Sequence, residues 1–499
     1  MWFIIKRDKV NKIAIFIVLI LVIITGISLI NKKFIKTDLG SDYKGDLDSL
    51  NRYQLDVSLD PVKMILEGEL IFNYTNSGQF SENQLLFYLF PNAFKSQELS
   101  PYEKNYLLVY YPDGFNPAYL EVEEVRDLTA GHPLSFQVDG LNLWVDLNRL
   151  LPPGEAVRLS IKFKEQIPSA LSRFGGFQNI ISLGNWYPIL AVKQDGQWRK
   201  AVYPSWGDPF CSDTAYYEVK FTLPKEYKLA HTGKKLKIEN RGEQLVYQLE
   251  GELVRDFALT LSPNYELKSE KLGKTNIHSY YLPEAEEYGL EALRLAKQAL
   301  SFFNEKFGLY PYEDLTIVQA NLLNGGMEYP QLVMLGKNLY TKPYYDAKVF
   351  EFVLVHEIAH QWWYGLVGSD GLREPWLDEG LTNYSTLLYF ESIYGKQERE
   401  RLKKQFIDLP RGEKNPLKLD QPLTAYQNGE DYYTNVYGWG ALAFEELHNI
   451  LGDRKFYQIM QAYFKKYKYN RSSIDDFLHL IEREGRIDLT SFRKKYFSN

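Results

Sequence analysis

The residues that could do chemistry together lie in one stretch, VLVHEIAHQWWYGLVGSDGLREPWLDEGLTNY, from Val353 to Tyr384. His356 and His360 stand four apart inside an apolar segment with helical periodicity. At that spacing both imidazoles leave one helix face about one turn apart, which suits two nitrogens on one zinc ion. Glu357 is turned about 100° around the helix from His356. It is badly aimed to bind the metal but close enough to act as general base on the water the metal activates. A catalytic zinc takes three protein ligands and leaves one position open, so a third ligand must come from elsewhere in the chain. The first helix is expected to run to about Leu366. Gly365, Gly368, Gly371 and Pro375 then punctuate a turn, and a second helix begins near Trp376. That helix–turn–helix brings Glu379 back against the histidine face. Asp378 competes for the third position, although an Asp so near a helix start is commonly a cap. The bland alternative is a buried helix whose histidines hydrogen-bond within the core. The acid-bearing second helix at this separation weighs against it.

The rest of the chain must position that stretch. With 499 residues there is room for two or three domains, and 45% hydrophobic with 24% charged residues is a globular balance that excludes extended disorder beyond the N-terminal region. A net charge of −6 without a long basic run excludes nucleic acid as the main partner. Cys211, the single cysteine, reads as a small packing residue and does not decide the compartment.

From Ile13 to Ile30 the sequence IAIFIVLILVIITGISLI carries no charge and would be about 27 Å long as a helix, close to a bilayer core. Lys6, Arg7, Lys9 and Lys12 precede it, against Lys32, Lys33 and Lys36 after it, which favours a short cytoplasmic N-terminus at residues 1–12. No small-x-small cleavage site ends the run. The expectation is therefore an uncleaved transmembrane signal anchor at 13–30, embedded in the lipid bilayer, and a polar linker at 31–50. The protein would be a single-pass protein of the cell membrane with its larger part outside.

From about 51 to 270 short alternating runs follow one another, among them YQLDVSL, LEGELIFNYTN, LNLWVDL, AVRLSIKF and YYEVKFTL, separated by turn residues such as LPPGE. They predict an antiparallel β domain. His132 and His231 belong to no spaced cluster and read as surface or loop residues. Trp186, Tyr203 and Trp206 read as packing. From about 275 to 499 the pattern is mixed and then helical, beginning with the amphipathic EAEEYGLEALRLAKQALSFFNEKFG and the strand LTIVQA. The segment NLLNGGMEYPQLVML, with its double glycine, lone acid and proline, predicts a loop leading into an edge strand able to pair with an extended peptide.

Together these motifs carry a resemblance. HEIAHQWW, with eighteen residues between its second His and the Glu of WLDEGLTNY, resembles the aminopeptidase N-like zinc metallopeptidases, the gluzincin aminopeptidase family. YPSWGDPFCSDTAYYEVKFTLPKEYKLAHTG looks, more loosely, like that family's N-terminal domain. GGMEY, Gly325 to Tyr329, resembles its GxMEN signature, with Tyr329 where the family has Asn. The resemblance implies a multidomain fold: the β domain, then a thermolysin-like α+β catalytic domain rich in helices at its C-terminal end. It implies one zinc ion on His356, His360 and Glu379, with Glu357 as general base. It carries substrate binding over to Gly325, Gly326, Met327 and Glu328, the Glu receiving the free α-amine of a peptide so that the cut falls after the first residue. A family Tyr that supports the tetrahedral oxyanion carries over to Tyr437 in YGWGALAFEEL, ahead of Tyr432 and Tyr433. The function implied is a membrane-anchored zinc aminopeptidase acting on peptides with a free N-terminus. A zinc endopeptidase and a catalytically inactive membrane-tethered peptide-binding protein are the alternatives.

Overall fold

The structure, a computed structural model, describes residues 43, 45, 47–208, 210–323, 325–408 and 416–498. The apolar run 13–30 lies outside the described residues. Among those described, no helix is long and apolar enough to cross a membrane.

Alternation along the first strands sets one face inward. In Arg52–Asp60, Tyr53, Leu55, Val57 and Leu59 are buried while Asp56 and Ser58 are exposed. These strands build an eight-stranded sheet in the order Lys234–Arg241, Gln244–Val254, Ala215–Pro224, Arg52–Asp60, Ile65–Thr75, Ala156–Gln166, Tyr119–Asp127, His132–Pro133. The antiparallel expectation fails at one seam. Arg52–Asp60 runs parallel to Ala215–Pro224, with Leu55 opposite Val219. No hairpin joins these two strands, since most of the β-rich half lies between them, so no turn imposes their relative direction. Two four-stranded sheets accompany the large one, and Phe174–Phe177 (β1) and Ile180–Leu183 (β2) form an antiparallel pair in one of them. Aromatic rings fill the interior: Tyr53 stacks on Tyr217 with centroids 4.6 Å apart, and Trp186 is fully buried with its Nε1–H on the Phe257 carbonyl at 2.9 Å.

A five-stranded sheet follows: Glu266–Leu272 (β3), Thr275–Tyr281 (β4), Asp314–Ala320 (β5), Gly326–Tyr329 (β6) and Leu332–Gly336 (β7), in the order β3-β4-β5-β7-β6. It starts at Glu266, before the residue 275 at which the sequence pattern turns mixed. β4, β5 and β7 are parallel, and β6 returns antiparallel to β7 as an edge strand. The helix Glu286–Lys306 (α1) crosses from β4 to β5 with Ala292, Leu295, Ala296 and Ala299 buried. Val349–Ala359 (α2), Trp376–Tyr394 (α3) and Gly440–Leu451 (α4) follow, with further helices to Tyr496. The described residues from Ser49 onward form one compact unit.

Helix α2 is shorter than its periodicity suggests. It ends at Ala359, and residues 360–367 form a widened turn in which Gly365, Leu366 and Val367 donate to the carbonyls of His360, Gln361 and Trp362 at 2.9–3.1 Å. Tyr364 breaks the helical path with a φ of +143°, its amide donating to the Val367 carbonyl at 3.0 Å. The buried Arg255 guanidinium, from the β-rich half, holds this turn by donating to the Tyr364 carbonyl at 2.9 Å and the Leu366 carbonyl at 3.5 Å.

Candidate functional site

Helix α2 with its C-cap His360 and helix α3 bring three donor atoms to one point. His356 Nε2 lies 3.0 Å from His360 Nε2, and Glu379 Oε2 lies 3.2 Å from the first and 3.1 Å from the second. Ligands on a tetrahedral zinc with bonds of about 2.0–2.1 Å sit about 3.3 Å apart, so the spacing fits one such ion. The hydrogen on His360 is assigned by its surroundings. Nδ1 faces the Trp363 carbonyl at 3.0 Å, the Asp378 carboxylate at 2.8 Å and the Thr382 hydroxyl at 3.2 Å. With Nδ1 protonated, the Nε2 lone pair points at the common centre. Asp378, the competing ligand, thus stands on the outer side of the ring, where it orients His360.

The electrostatics ask for a cation. Burial works against a proton on His360, yet Glu328, Asp378 and Glu379 outweigh it and hold the imidazole well above its ordinary range. Burial alone would raise Glu379, but His360 and His356 reverse the sign and keep it below the usual carboxylate range. Burial lowers His356. Glu357 is pushed up to about 8 by burial, with Glu379 and Asp208 adding to the effect. Its Oε2 is buried without a hydrogen-bond partner among the described residues. A divalent ion meets the demand that the protein alone meets with protons.

Strand β6 supplies the next carboxylate. One Glu328 carboxylate oxygen lies within 4.8 Å of a ligand atom of Glu357 and of His360. Gly326 is small for a reason: a Cβ there would collide with the Glu357 side chain. Gly325 has a φ of +71° and open space around it, so it serves the turn into the strand and not the packing. Met327 is buried, with the Arg173 guanidinium 3.0 Å from its sulfur.

Tyr437 lies in a π-helical turn, Tyr433–Trp439, that leads into α4. Its ring stacks on His356 with centroids 5.8 Å apart, and burial with the nearby Glu379 charge keeps the phenol protonated far beyond its ordinary range. A glycine crossing allows this approach, since a Cβ on Gly380 would fall 3.0 Å from the Gly440 backbone. Tyr433 stacks on Tyr437, but its hydroxyl donates to the Phe406 carbonyl at 3.1 Å and is committed there. Tyr432 is buried beside Tyr437 and also feels the Glu379 charge.

Sequence reasoning missed two residues at this site. Asp208, paired with Arg173, has a carboxylate oxygen within 4.8 Å of those of Glu328 and Glu379. It belongs to the Asp-Pro step of YPSWGDPF, which was the available signal. Gln361, directly after His360, donates to the Tyr329 carbonyl at 3.2 Å and accepts from the Gln331 amide at 2.8 Å, clamping the β6–β7 turn to the metal helix. His132 is exposed, His231 is lowered to about 4 by burial, and among the described residues neither joins a metal-binding group. Cys211 is buried, and burial raises its thiol.

Residues 291–496 match the family model described as the peptidase family M1 domain. This part of the chain is a peptidase M1 domain. The resemblance to the aminopeptidase N-like zinc metallopeptidases therefore holds, and M1 zinc metallopeptidases use one catalytic zinc ion. Aminopeptidase M1-B of Oryza sativa subsp. japonica is 23% identical over 381 residues, covering 72% of this chain and 42% of the rice protein. Aminopeptidase N of Escherichia coli (strain K12) is 27% identical over 225 residues, 41% of this chain and 25% of that one. Human aminopeptidase B is 31% identical over 188 residues, 34% of this chain and 28% of that one. The chain thus spans less than half the length of these relatives. An M1 zinc metallopeptidase from Deinococcus radiodurans has a crystal structure that superposes with a TM-score of 0.64 at 18% identity, over 90% of this chain and 94% of that one. A mutant of that enzyme bound to a Tyr-Ser-Ala substrate gives 0.62 at 17%. A β-rich N-terminal part followed by a helical C-terminal part is the M1 fold.

Proposed function

We propose that the protein is a zinc aminopeptidase that releases the N-terminal amino acid from peptides, anchored in the cell membrane by residues 13–30 with its catalytic part outside. The observation that carries the reading is the grouping of the Glu328 carboxylate with Glu357 and His360, within 4.8 Å of one another, beside the His356–His360–Glu379 triad. A buried carboxylate so close to the reacting centre favours an ammonium group one residue from the attacked carbonyl.

His356 Nε2, His360 Nε2 and Glu379 Oε2 would hold the zinc, which when bound supplies a Lewis acid that acidifies water and polarises the scissile carbonyl. Glu357, whose Oε2 lacks a partner among the described residues, takes the proton of the attacking water and passes it to the departing amine. Tyr437, held protonated, donates a hydrogen bond to the oxygen on which negative charge develops. Glu328, with Asp208 beside it, receives the α-ammonium group. Gly326 and Met327 lie on an edge strand along which an extended peptide can align.

The test compares aminoacyl anilides and short peptides with free and N-acetylated termini. Release of one residue from the free forms, with little action on the acetylated ones, is expected. Efficient cleavage of the blocked forms would make the protein an endopeptidase. Cell fractionation tests the anchor: recovery of mature protein in the soluble fraction without its first thirty residues would remove it from the account.

A further inference from the structure

Tyr329 occupies the position after Glu328 on the edge strand β6, and its surroundings give it a task. Successive side chains on a strand point to opposite faces, so Glu328 and Tyr329 are directed apart, one toward the metal ligands and the other away from them. The Tyr329 ring is fully buried, and its hydroxyl donates to Asn185 Oδ1 at 2.9 Å. Asn185 Nδ2 in turn donates to Asp256 Oδ2, whose other oxygen accepts from the Tyr187 hydroxyl at 2.8 Å and the Phe257 amide at 2.7 Å. Asn185, Asp256 and Tyr187 are all at most 2% exposed. The chain of hydrogen bonds therefore runs through the interior from the strand that carries Glu328 into the β-rich half.

Two local features show that the β-rich half is shaped around this phenol. A Cβ on Gly184 would collide with the Tyr329 hydroxyl, so the residue before Asn185 has given up its side chain where the phenol enters. Asn185 itself has a φ of +53°, a conformation that Asn tolerates better than most residues and that aims its amide between Tyr329 and Asp256. The hairpin before Gly184 meets neighbouring side chains as well. Arg173 reaches the Met327 sulfur, and the Phe177 carbonyl accepts from Asn321.

An edge strand is hydrogen-bonded to a neighbouring strand on one side only, so its height above the sheet is set by what holds its side chains. On β6 the strand partner is β7, Gln361 clamps the turn, and Tyr329 ties the strand across to Asn185. We propose that Tyr329, Asn185 and Asp256 act as one positioning unit that fixes the Glu328 carboxylate relative to the metal ligands. The β-rich half would thereby set how strictly a free N-terminus is required. The inference rests on the aminopeptidase reading and on the amine-binding role of Glu328 within it.

Two variants cut the chain without emptying the core. Tyr329→Phe removes one oxygen and leaves Asn185 Oδ1 without its donor. Asn185→Gly removes the link and keeps the left-handed backbone. Each is compared with the parent on aminoacyl anilides and on peptides with free and N-acetylated termini, with zinc content and thermal midpoint recorded. In folded, zinc-replete protein both variants are expected to raise KM for free-amine substrates about tenfold, the scale of one buried hydrogen bond, with kcat changed less than about threefold. The preference for free over acetylated termini should fall by the same factor. A merely structural role would lower stability and leave that preference alone, so an unchanged ratio in both variants would overturn the proposal. Should Tyr329→Phe fail to fold, Asn185→Gly decides by the same ratio. If the parent protein itself shows no preference for free termini, the aminopeptidase reading fails and takes this inference with it. If the parent shows the preference and both variants keep it, only the positioning unit falls.

Discussion

The metal triad and the acidic subsite lie side by side but were built by different rules. The triad comes from helix α2 with its C-cap His360 and from the first turn of helix α3, so helical periodicity and the number of ligands a zinc ion takes define the set. The carboxylates of Glu328 and Asp208 come from an edge strand and from a loop of the other half of the chain. Their meeting depends on how a five-stranded sheet packs against a β-rich unit, which no local spacing expresses. Chemistry placed on one supersecondary motif can be read directly, whereas chemistry shared between halves becomes visible only once the halves are packed.

The comparison can be broken most severely at the triad. Glu379→Ala removes the third donor, and zinc content should fall from one per chain to well under a tenth, with activity reduced about a thousandfold or more. Full metal occupancy in that variant would mean that Asp378 or another group is the ligand. Next in size is Tyr437→Phe, expected to lower kcat about a hundred- to a thousandfold with little change in KM. Tyr433→Phe should do little, because that hydroxyl is engaged by the Phe406 carbonyl. Steady-state kinetics on one anilide substrate separate the two tyrosines.

The acidic subsite should respond differently. Glu328→Gln is expected to reduce kcat/KM on free-amine substrates about a hundredfold, as for a desolvated charge pair losing one member, and to leave acetylated peptides nearly unaffected. Equal losses on both would place Glu328 in the general machinery.

The smallest effect belongs to a part of the β-rich half outside the site. Glu165 is fully buried, neither carboxylate oxygen has a hydrogen-bond partner among the described residues, and burial holds the group well above its ordinary range. For a carboxyl raised in the folded state, the associated stability is present below the unfolded pKa and is lost as pH rises through the folded one. Glu165→Gln should therefore be more stable than the parent by about 1–3 kcal/mol at pH 7.5, with the advantage gone near pH 4. Denaturant titrations at the two pH values check it. A variant that is less stable at both would mean that the carboxylate has a partner in solution.

How much was legible follows the same division. The strand Arg52–Asp60 could be read because its apolar residues alternate, and α3 because the glycines and Pro375 mark its start. The parallel seam between Arg52–Asp60 and Ala215–Pro224 could not, since alternation gives a strand its inner face but no direction. The end of α2 was misplaced for a related reason. Leu366 and Val367 continue the apolar pattern, but Tyr364 turns to a φ of +143°, and Arg255 from the other half together with the Tyr469 amide holds the turn that results. At the site, His356, His360, Glu357 and Glu379 were legible from spacing, and Glu328 and Tyr437 from motif resemblance. Asp208 and Gln361 were not, because one sits in a loop and the other looks like one more polar residue after a histidine. Gln361 acquires meaning only from the turn it clamps.

The central claim is that Glu357 moves the proton for a cation held by the triad. It is tested most directly by Glu357→Gln, an isosteric change that leaves the donor atoms of His356, His360 and Glu379 in place. Zinc content and turnover of an aminoacyl anilide should be measured on the same preparation. The account predicts one zinc per chain and kcat reduced about a thousandfold. Undiminished turnover with zinc still bound would contradict it.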